Sequence, residues 1–175
     1  IDILVMTATP IPRTLQLSNY GDLDVSTIDQ KPLNRKKIST AIISEVKIEP
    51  LLKRLVSACL RGQQAYWVCP LIEDNEDLEL VALERRFSVL KAYDPSLNVE
   101  ILHGKIAEDQ KIKIMNSFIN KEIHVLLATT VIEVGVDVPN ASIMIVEGAE
   151  RFGLAQLHQL RGRVGRGELP SSCTL

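Results

Sequence analysis

Two arginines near the carboxyl end of the chain, Arg163 and Arg166, are the strongest candidates for chemistry. They lie in the segment Gln159–Arg166, where Gly162 and Gly165 stand beside them. If the segment ends a helix, a spacing of three positions directs both guanidinium groups the same way. Guanidinium groups donate planar, charge-assisted hydrogen bonds and keep their charge, so such a pair suits a polyphosphate.

Two plainer interpretations of this segment stay open, an exposed basic helix terminus and a disordered Arg-Gly tract. Leu154, Leu157 and Leu160 precede the arginines at helical spacing, which favours an ordered helix over a disordered tract. These residues alone do not decide between a phosphate site and a simple helix terminus.

A second candidate segment, Ala128–Pro139, begins where an apolar strand ends. The hydroxyl of Thr129 is suited to donate to a nucleic-acid phosphate. A glycine and a carboxylate follow, Gly135 and Asp137, and the carboxylate is suited to accept from a ribose hydroxyl. The alternative is an ordinary strand-to-turn crossover in which threonine caps a helix.

Two further segments place polar groups at strand ends. Thr7 and Thr9 follow the first apolar stretch, and Pro10 sets the backbone after them. His103 and Gly104 follow another strand and precede a helix, whose N-terminus is a favourable place for a phosphate. A capped turn and a capping loop are the alternative interpretations.

The elements that must position these residues alternate between apolar strands and amphipathic helices. Near-continuous apolar strands predict an α/β fold with a mostly parallel sheet covered on both faces. Because ligands bind beyond the carboxyl ends of parallel strands, we expect the polar residues and the arginines at one edge. The predicted strands are 38–44, 66–72, 98–102, 123–128 and 142–146, with another beginning near 171, and the predicted helices are 47–61, 77–93, 107–120 and 154–164.

Residues 1–35 break this alternation and contain a proline-rich turn. We therefore predict that 1–35 are the remnant of one domain with its linker and that 36–175 form a second domain. The chain opens on an apolar strand without methionine, and we expect it to be a piece of a longer protein.

The composition bounds the function. With 46% hydrophobic residues the chain can build a core, and its net charge of −2 excludes a general positive surface for nucleic acid. Cys59, Cys69 and Cys173 are odd in number and far apart. Cys59 falls on a predicted helix and Cys69 on an apolar strand, which favours core residues over ligands or bridges for these two. We expect a reducing compartment, the cytoplasm, and no metal site within this chain.

Four segments, in their order along the chain, resemble helicase superfamily 2. Thr7–Thr9 is similar to its motif III, Trp67–Glu73 takes the place of motif IV, Ala128–Asp137 is similar to motif V and Gln159–Arg166 to motif VI. The strings MTATPIPRTL, QAYWVCPLIE, LHG, ATTVIEVGVDVPNAS and GLAQLHQLRGRVGRG resemble the RecG family of bacterial ATP-dependent DNA helicases over essentially the whole chain. The transcription-repair coupling translocases are the nearest rival family.

The resemblance implies a RecA-like three-layer sandwich in which 36–175 form most of the second motor lobe and 1–35 end the first. It implies ATP and Mg²⁺ bound mainly by the missing lobe, and branched or forked DNA as the partner. It also gives roles to the nucleotide side of the site. Arg163 and Arg166 would be arginine fingers on the γ-phosphate, Gln159 would position the nucleotide or the attacking water, and Gly135 and Asp137 would lie at the nucleotide edge.

The DNA side of the site follows from the same resemblance. Thr129, His103 and Gly104 would contact the DNA backbone, and Thr7 and Thr9 would couple the nucleotide state to that contact.

The chain departs from the complete helicase pattern in two motifs. It contains no GxxxxGK[ST] phosphate loop and no DEx[HQ] segment to hold Mg²⁺. The wedge domain of RecG-type enzymes is also absent from these residues. We therefore expect neither ATP hydrolysis nor unwinding from this chain alone. A non-catalytic α/β module that binds nucleic acid is the alternative to a helicase lobe.

Overall fold

The structure is a computed structural model that describes Ser26 and residues 37–70, 76–129 and 138–175. The chain divides into two units, Ile1–Leu33 and Asn34–Leu175, and every helix and strand below belongs to the second unit. The domain remnant predicted at 1–35 lies outside the described residues apart from Ser26, and its boundary stays a prediction.

The described residues form six strands, four α-helices and two short 3-10 helices. The strands are β1 (Ser39–Ala41), β2 (Gln64–Val68), β3 (Val99–Leu102), β4 (Val125–Ala128), β5 (Ala141–Val146) and β6 (Ser172–Thr174). The α-helices are α1 (Ile48–Cys59), α2 (Glu76–Tyr93), α3 (Glu108–Ile119) and α4 (Leu154–Arg161). Short 3-10 helices at Glu45–Lys47 and Ala149–Arg151 precede α1 and α4.

The strands form a single sheet in the order β1-β6-β5-β2-β4-β3, and every neighbouring pair is parallel. The prediction of an α/β fold with a mostly parallel sheet is confirmed. Strand β2 lies in the middle, and all five of its residues are buried. Because parallel strands run in one direction, all six carboxyl ends meet at one edge of the sheet.

Two apolar cores cover the two faces of the sheet. Alternate residues of β2 point to opposite faces, so Tyr66 and Val68 join one core while Ala65 and Trp67 join the other. The core that contains Tyr66 also holds Phe118 of α3 and residues of α4, and the Trp67 core holds residues of α1 and α2. Fully burying one such large side chain stabilises the fold by about 1.5–3 kcal/mol.

Several apolar residues on the helices are exposed. Leu60, the C-cap of α1, is 64% exposed. On α3, Ile112 is 54% and Ile119 is 37% exposed, and Phe118 is the fully buried residue of that helix. Leu154, the first residue of α4, is 86% exposed. The apolar periodicity of these helices is therefore wider than the stripe that packs on the sheet.

Candidate functional site

The carboxyl edge of the sheet brings together the ends of four neighbouring strands. His103 follows β3, Thr129 follows β4, Cys69 follows β2 and Glu147 follows β5. Each end is tied to its neighbour by a backbone hydrogen bond, donated by the N–H of Thr129 to Leu102 O (3.4 Å), of Cys69 to Ala128 O (2.9 Å) and of Glu147 to Val68 O (2.9 Å). The sequence expectation that His103, Gly104 and Thr129 share an edge is confirmed.

The three residues differ in accessibility. Gly104 is exposed, and a Cβ added there would meet no atom within 4 Å. His103 is half-buried, whereas Thr129 is only 2% exposed. Of these three residues, His103 and Gly104 are therefore accessible at this edge, whereas Thr129 is buried.

The arginine segment does not end a helix as expected. Helix α4 ends at Arg161 rather than at Val164, and Gly162 is its C-cap. Arg163 and Arg166 lie in the following loop, separated by Gly165, whose φ of +76° is a left-handed conformation that suits glycine. The prediction that helical spacing directs both guanidinium groups the same way is therefore wrong. The loop bends back on itself instead, since Nε of Arg166 donates to the carbonyl oxygen of Gly162 at 3.2 Å.

We call the segment Gly162–Gly167 the arginine loop, and it lies at the amino edge of the sheet. A Cβ added to Gly165 would lie 2.9 Å from Cγ1 of Ile38 and 3.6 Å from Cβ of Ser171, and these residues directly precede β1 and β6. A Cβ on Gly167 would overlap the carbonyl oxygen of Pro139, which lies just ahead of β5.

The expectation of one common edge for the arginines and the DNA-contacting residues is therefore wrong. Helix α4 follows the carboxyl end of β5 and leads to β6, which is parallel to β5. A connection between parallel strands must return the chain to the amino edge before the next strand begins. A strand of six residues such as β5 is roughly 20 Å long, which sets the scale of the separation between the two groups.

The remaining predicted site residues have different outcomes. Gln159 is half-buried in the last turn of α4, on the way to the arginine loop. Gly135 and Asp137 lie outside the described residues, as do Thr7 and Thr9. The described residues resume at Val138, directly after Asp137, and Val138 is buried.

The carboxyl edge also carries a charged cluster that was not predicted from the sequence. The carboxylate of Glu147 accepts hydrogen bonds from Nε1 of Trp67 at 3.0 Å and from Nε of Arg86 at 3.1 Å, and Nη2 of Arg86 forms a second, ionic contact with it. The Arg86 guanidinium also lies 5.0 Å from the centre of the Trp67 ring. Only the position of Glu147 directly after an apolar strand pointed to it. The residues that bind it are 61 and 80 positions away.

The three cysteines are free and buried, so the predicted role of Cys59 and Cys69 as core residues is confirmed. Burial raises the pKa of the Cys59 thiol to about 12 and that of Cys173 to about 11. Burial, and then the charge of Glu147, raises the pKa of Cys69 to about 12. These raised pKa values favour the protonated thiol at neutral pH, as is usual for cysteines buried in apolar surroundings. The described residues contain no cluster of three or more histidine, cysteine or acidic side chains that could hold a metal ion.

Residues 47–168 match the family model of the helicase conserved C-terminal domain. The chain belongs to this family. Along with the all-parallel sheet and the helices on both of its faces, this membership confirms the RecA-like fold expected for a second helicase lobe. The family's shared domain is the part of the chain that carries both the carboxyl-edge residues and the arginine loop.

The relatives confirm the resemblance to RecG helicases. The chain is 54% identical over 173 residues to the ATP-dependent DNA helicase RecG of Escherichia coli strain K12, covering 98% of this chain and 25% of that protein. It is 52% identical, again over 173 residues, to RecG of Haemophilus influenzae. The chain thus spans about a quarter of the length of the curated relatives it matches.

Solved structures agree with this assignment. All of the chain is similar to a structure of RecG bound to a three-way DNA junction, with a TM-score of 0.82, 40% identity and 23% of that chain covered. A structure of Saccharomyces cerevisiae Dbp5 bound to RNA and ADP BeF3 matches 96% of this chain and 43% of its own, with a TM-score of 0.64. At 16% identity the second match shows the fold alone. Among the described residues, no helix has the length and apolar character needed to cross a membrane.

Proposed function

We propose that this chain is the second motor lobe of an ATP-dependent DNA helicase that acts on branched DNA, including replication forks and Holliday junctions in recombination and repair. The observation that carries the proposal is the 54% identity over 98% of the chain to a protein named as an ATP-dependent DNA helicase. The similarity to RecG in a structure with a three-way DNA junction supports branched DNA as the partner.

We assign nucleotide chemistry to the amino edge of the sheet, where the arginine loop lies. In this proposal Arg163 and Arg166 stabilise the charge that develops on the γ-phosphate, and Gln159 positions the nucleotide or the attacking water. Gly135 and Asp137 complete the nucleotide edge. ATP and Mg²⁺ are bound mainly by the first lobe, because this chain contains no phosphate loop and no DEx[HQ] segment.

DNA binding belongs to the carboxyl edge in this proposal. His103 and Gly104 contact the DNA backbone, Thr129 supports that contact, and Thr7 and Thr9 couple it to the nucleotide state. Contacts to phosphates rather than bases give binding that is independent of sequence. The two edges are separated by roughly the length of a strand, and the sheet between them connects the residues proposed for hydrolysis with those proposed for DNA binding.

The proposed location is the reducing cytoplasm, which suits a DNA-acting protein with three free thiols.

The arginine pair provides the direct test. In the intact protein that contains this chain, we expect Arg163→Ala and Arg166→Ala each to lower kcat for DNA-stimulated ATP hydrolysis by about 10³- to 10⁵-fold. Lysine at either position should restore little activity, because an ammonium group cannot reproduce the planar guanidinium contacts. The measurement is steady-state phosphate release at saturating ATP and junction DNA.

The matched control is Arg85→Ala. Arg85 is an exposed arginine on α2, which packs on the opposite face of the sheet from α4. Its replacement should leave kcat within about twofold, as a surface substitution away from a site should. Unchanged turnover in both arginine-loop variants, with folding preserved, would refute the motor-lobe proposal and favour a non-catalytic nucleic-acid-binding module.

A further inference from the structure

Ile38 lies at the point where the chain enters the sheet. It precedes β1 directly and stands five residues after Leu33, the last residue of the first unit. Its half-buried side chain packs against the core that α3 and α4 cover. The next residue is fixed to the sheet, because the N–H of Ser39 donates to the carbonyl oxygen of Ser171 at 3.0 Å. The backbone next to Ile38 is therefore held by a hydrogen bond, and the Ile38 side chain is held by packing against the core.

The side chain of Ile38 fills the place that a side chain at Gly165 would take. A Cβ on Gly165 would lie 2.9 Å from Cγ1 and 3.3 Å from Cδ1 of Ile38, closer than real Cβ atoms allow for the first of these. Gly165 is buried and sits midway in the arginine loop, between Arg163 and Arg166. Ile38 thus packs directly against the backbone that connects the two arginines.

We propose that Ile38 is a positioning residue for Arg163 and Arg166. The inference rests on the proposed function of the arginine pair and adds a residue whose side chain acts through the loop. Beyond α4, the contacts that fix the loop include Ile38 against Gly165, Pro139 against Gly167, and the hydrogen bond from Arg166 to Gly162. Shortening Ile38 removes the first of these and leaves the loop space to shift.

The physical reason for an effect on turnover is the accuracy that phosphoryl transfer demands. The protein contributes to this reaction almost entirely by positioning and electrostatic stabilisation, and a misplacement of about 1 Å can lower the rate about 100-fold. The contact also joins the chain entry from the first unit to the arginine loop. In this proposal, a shift of the backbone at residue 38 moves the Ile38 side chain, and through it the loop that carries the two arginines.

Three variants of the intact protein test this role. We expect Ile38→Ala to lower kcat for DNA-stimulated ATP hydrolysis roughly 10- to 100-fold, with KM for ATP and affinity for junction DNA within about twofold. Ile38→Val keeps the branched Cβ and should retain most of kcat. The matched control is Ile114→Ala on α3, another half-buried isoleucine packed on the same core, which lies beside β3 at the far end of the sheet.

The outcomes separate the two proposals. The positioning role is upheld if Ile38→Ala loses kcat while Ile114→Ala, with a similar fall in Tm, does not. It is overturned if both alanine variants lose kcat equally, or if Ile38→Ala keeps kcat within twofold while Arg163→Ala and Arg166→Ala lose it. If the arginine variants themselves retain turnover, the proposed function fails first, and the positioning role fails with it.

Discussion

Glu147 joins two strands and a helix through a single carboxylate. It follows β5, and its oxygen atoms accept hydrogen bonds from Trp67 on β2 and from Arg86 on α2. The side chains of Arg86 and Glu147 are 17% and 26% exposed, so water screens the pair only in part. Hydrogen bonds to charged groups contribute more than neutral ones in such surroundings, and loss of one partner leaves the others unsatisfied.

We expect Glu147→Gln to lower the free energy of unfolding of the chain by about 2 kcal/mol, because the charge that Arg86 and Trp67 share is removed. Urea unfolding followed by Trp67 fluorescence measures the loss. Glu84→Gln is the matched control, since Glu84 is exposed on the same helix as Arg86, and it should change stability by less than about 0.5 kcal/mol. Equal losses in the two variants would contradict a specific role for the Glu147 cluster.

At the scale of elements, the connection after α4 illustrates how helix ends set the position of functional groups. The leucine periodicity at 154–160 correctly predicts a helix there. It does not predict the end at Arg161 or the loop that follows, in which the left-handed Gly165 packs against Ile38. Those contacts are tertiary and leave no periodic signal in the sequence.

The close approach of the arginine loop to the chain before β5 gives an element-scale prediction. A Cβ on Gly167 would meet the carbonyl group of Pro139, which is backbone and cannot rotate away as a side chain would. We expect Gly167→Ala to lower the free energy of unfolding by about 2 kcal/mol, the usual size of an overpacking cost. Thermal or urea denaturation of the chain provides the measurement.

Gly104→Ala is its matched control. A Cβ at Gly104 would meet nothing within 4 Å, so this variant should stay within about 0.5 kcal/mol of the parent. If the two alanine variants were equally stable, the packing of Gly167 on Pro139 would not hold in solution.

At the scale of the whole molecule, the chain carries two arginines that are candidates for a role in phosphoryl transfer, but its sequence has no motif that binds the phosphates of ATP. Among the described residues, His103, Gly104 and Thr129 lie at one edge of the sheet and the arginine loop lies at the other. The phosphate loop and the DEx[HQ] segment occur nowhere among the 175 residues. An arginine finger accelerates hydrolysis only when the nucleotide and Mg²⁺ are already held in place.

We therefore expect the isolated chain to release no phosphate from ATP above background, with or without junction DNA. A sensitive phosphate-release assay measures this, and the intact protein serves as the positive control. Arg163→Ala in the isolated chain distinguishes a true activity from a contaminant. Hydrolysis that the chain catalyses and that this substitution abolishes would show that the lobe alone can hold ATP.

The sequence by itself determined the fold class, the alternation of strands and helices, and the resemblance to RecG helicases. Each of these depends on local periodicity or on contiguous strings, such as Gln159–Arg166, that can be recognised without knowing their neighbours. The burial of Cys59 and Cys69 followed from the same patterns, because Cys59 lies on the apolar stripe of a helix and Cys69 lies in an apolar strand.

Only the tertiary structure decided which residues share an edge. It separates the arginine loop from His103 and Thr129, since a helix between parallel strands must carry the chain back to the amino edge. It also joins Ile38 to Gly165, and Glu147 to Arg86, across long stretches of sequence. Such contacts arise from the order of strands in the sheet, and that order is set by packing of the whole domain rather than by any local pattern.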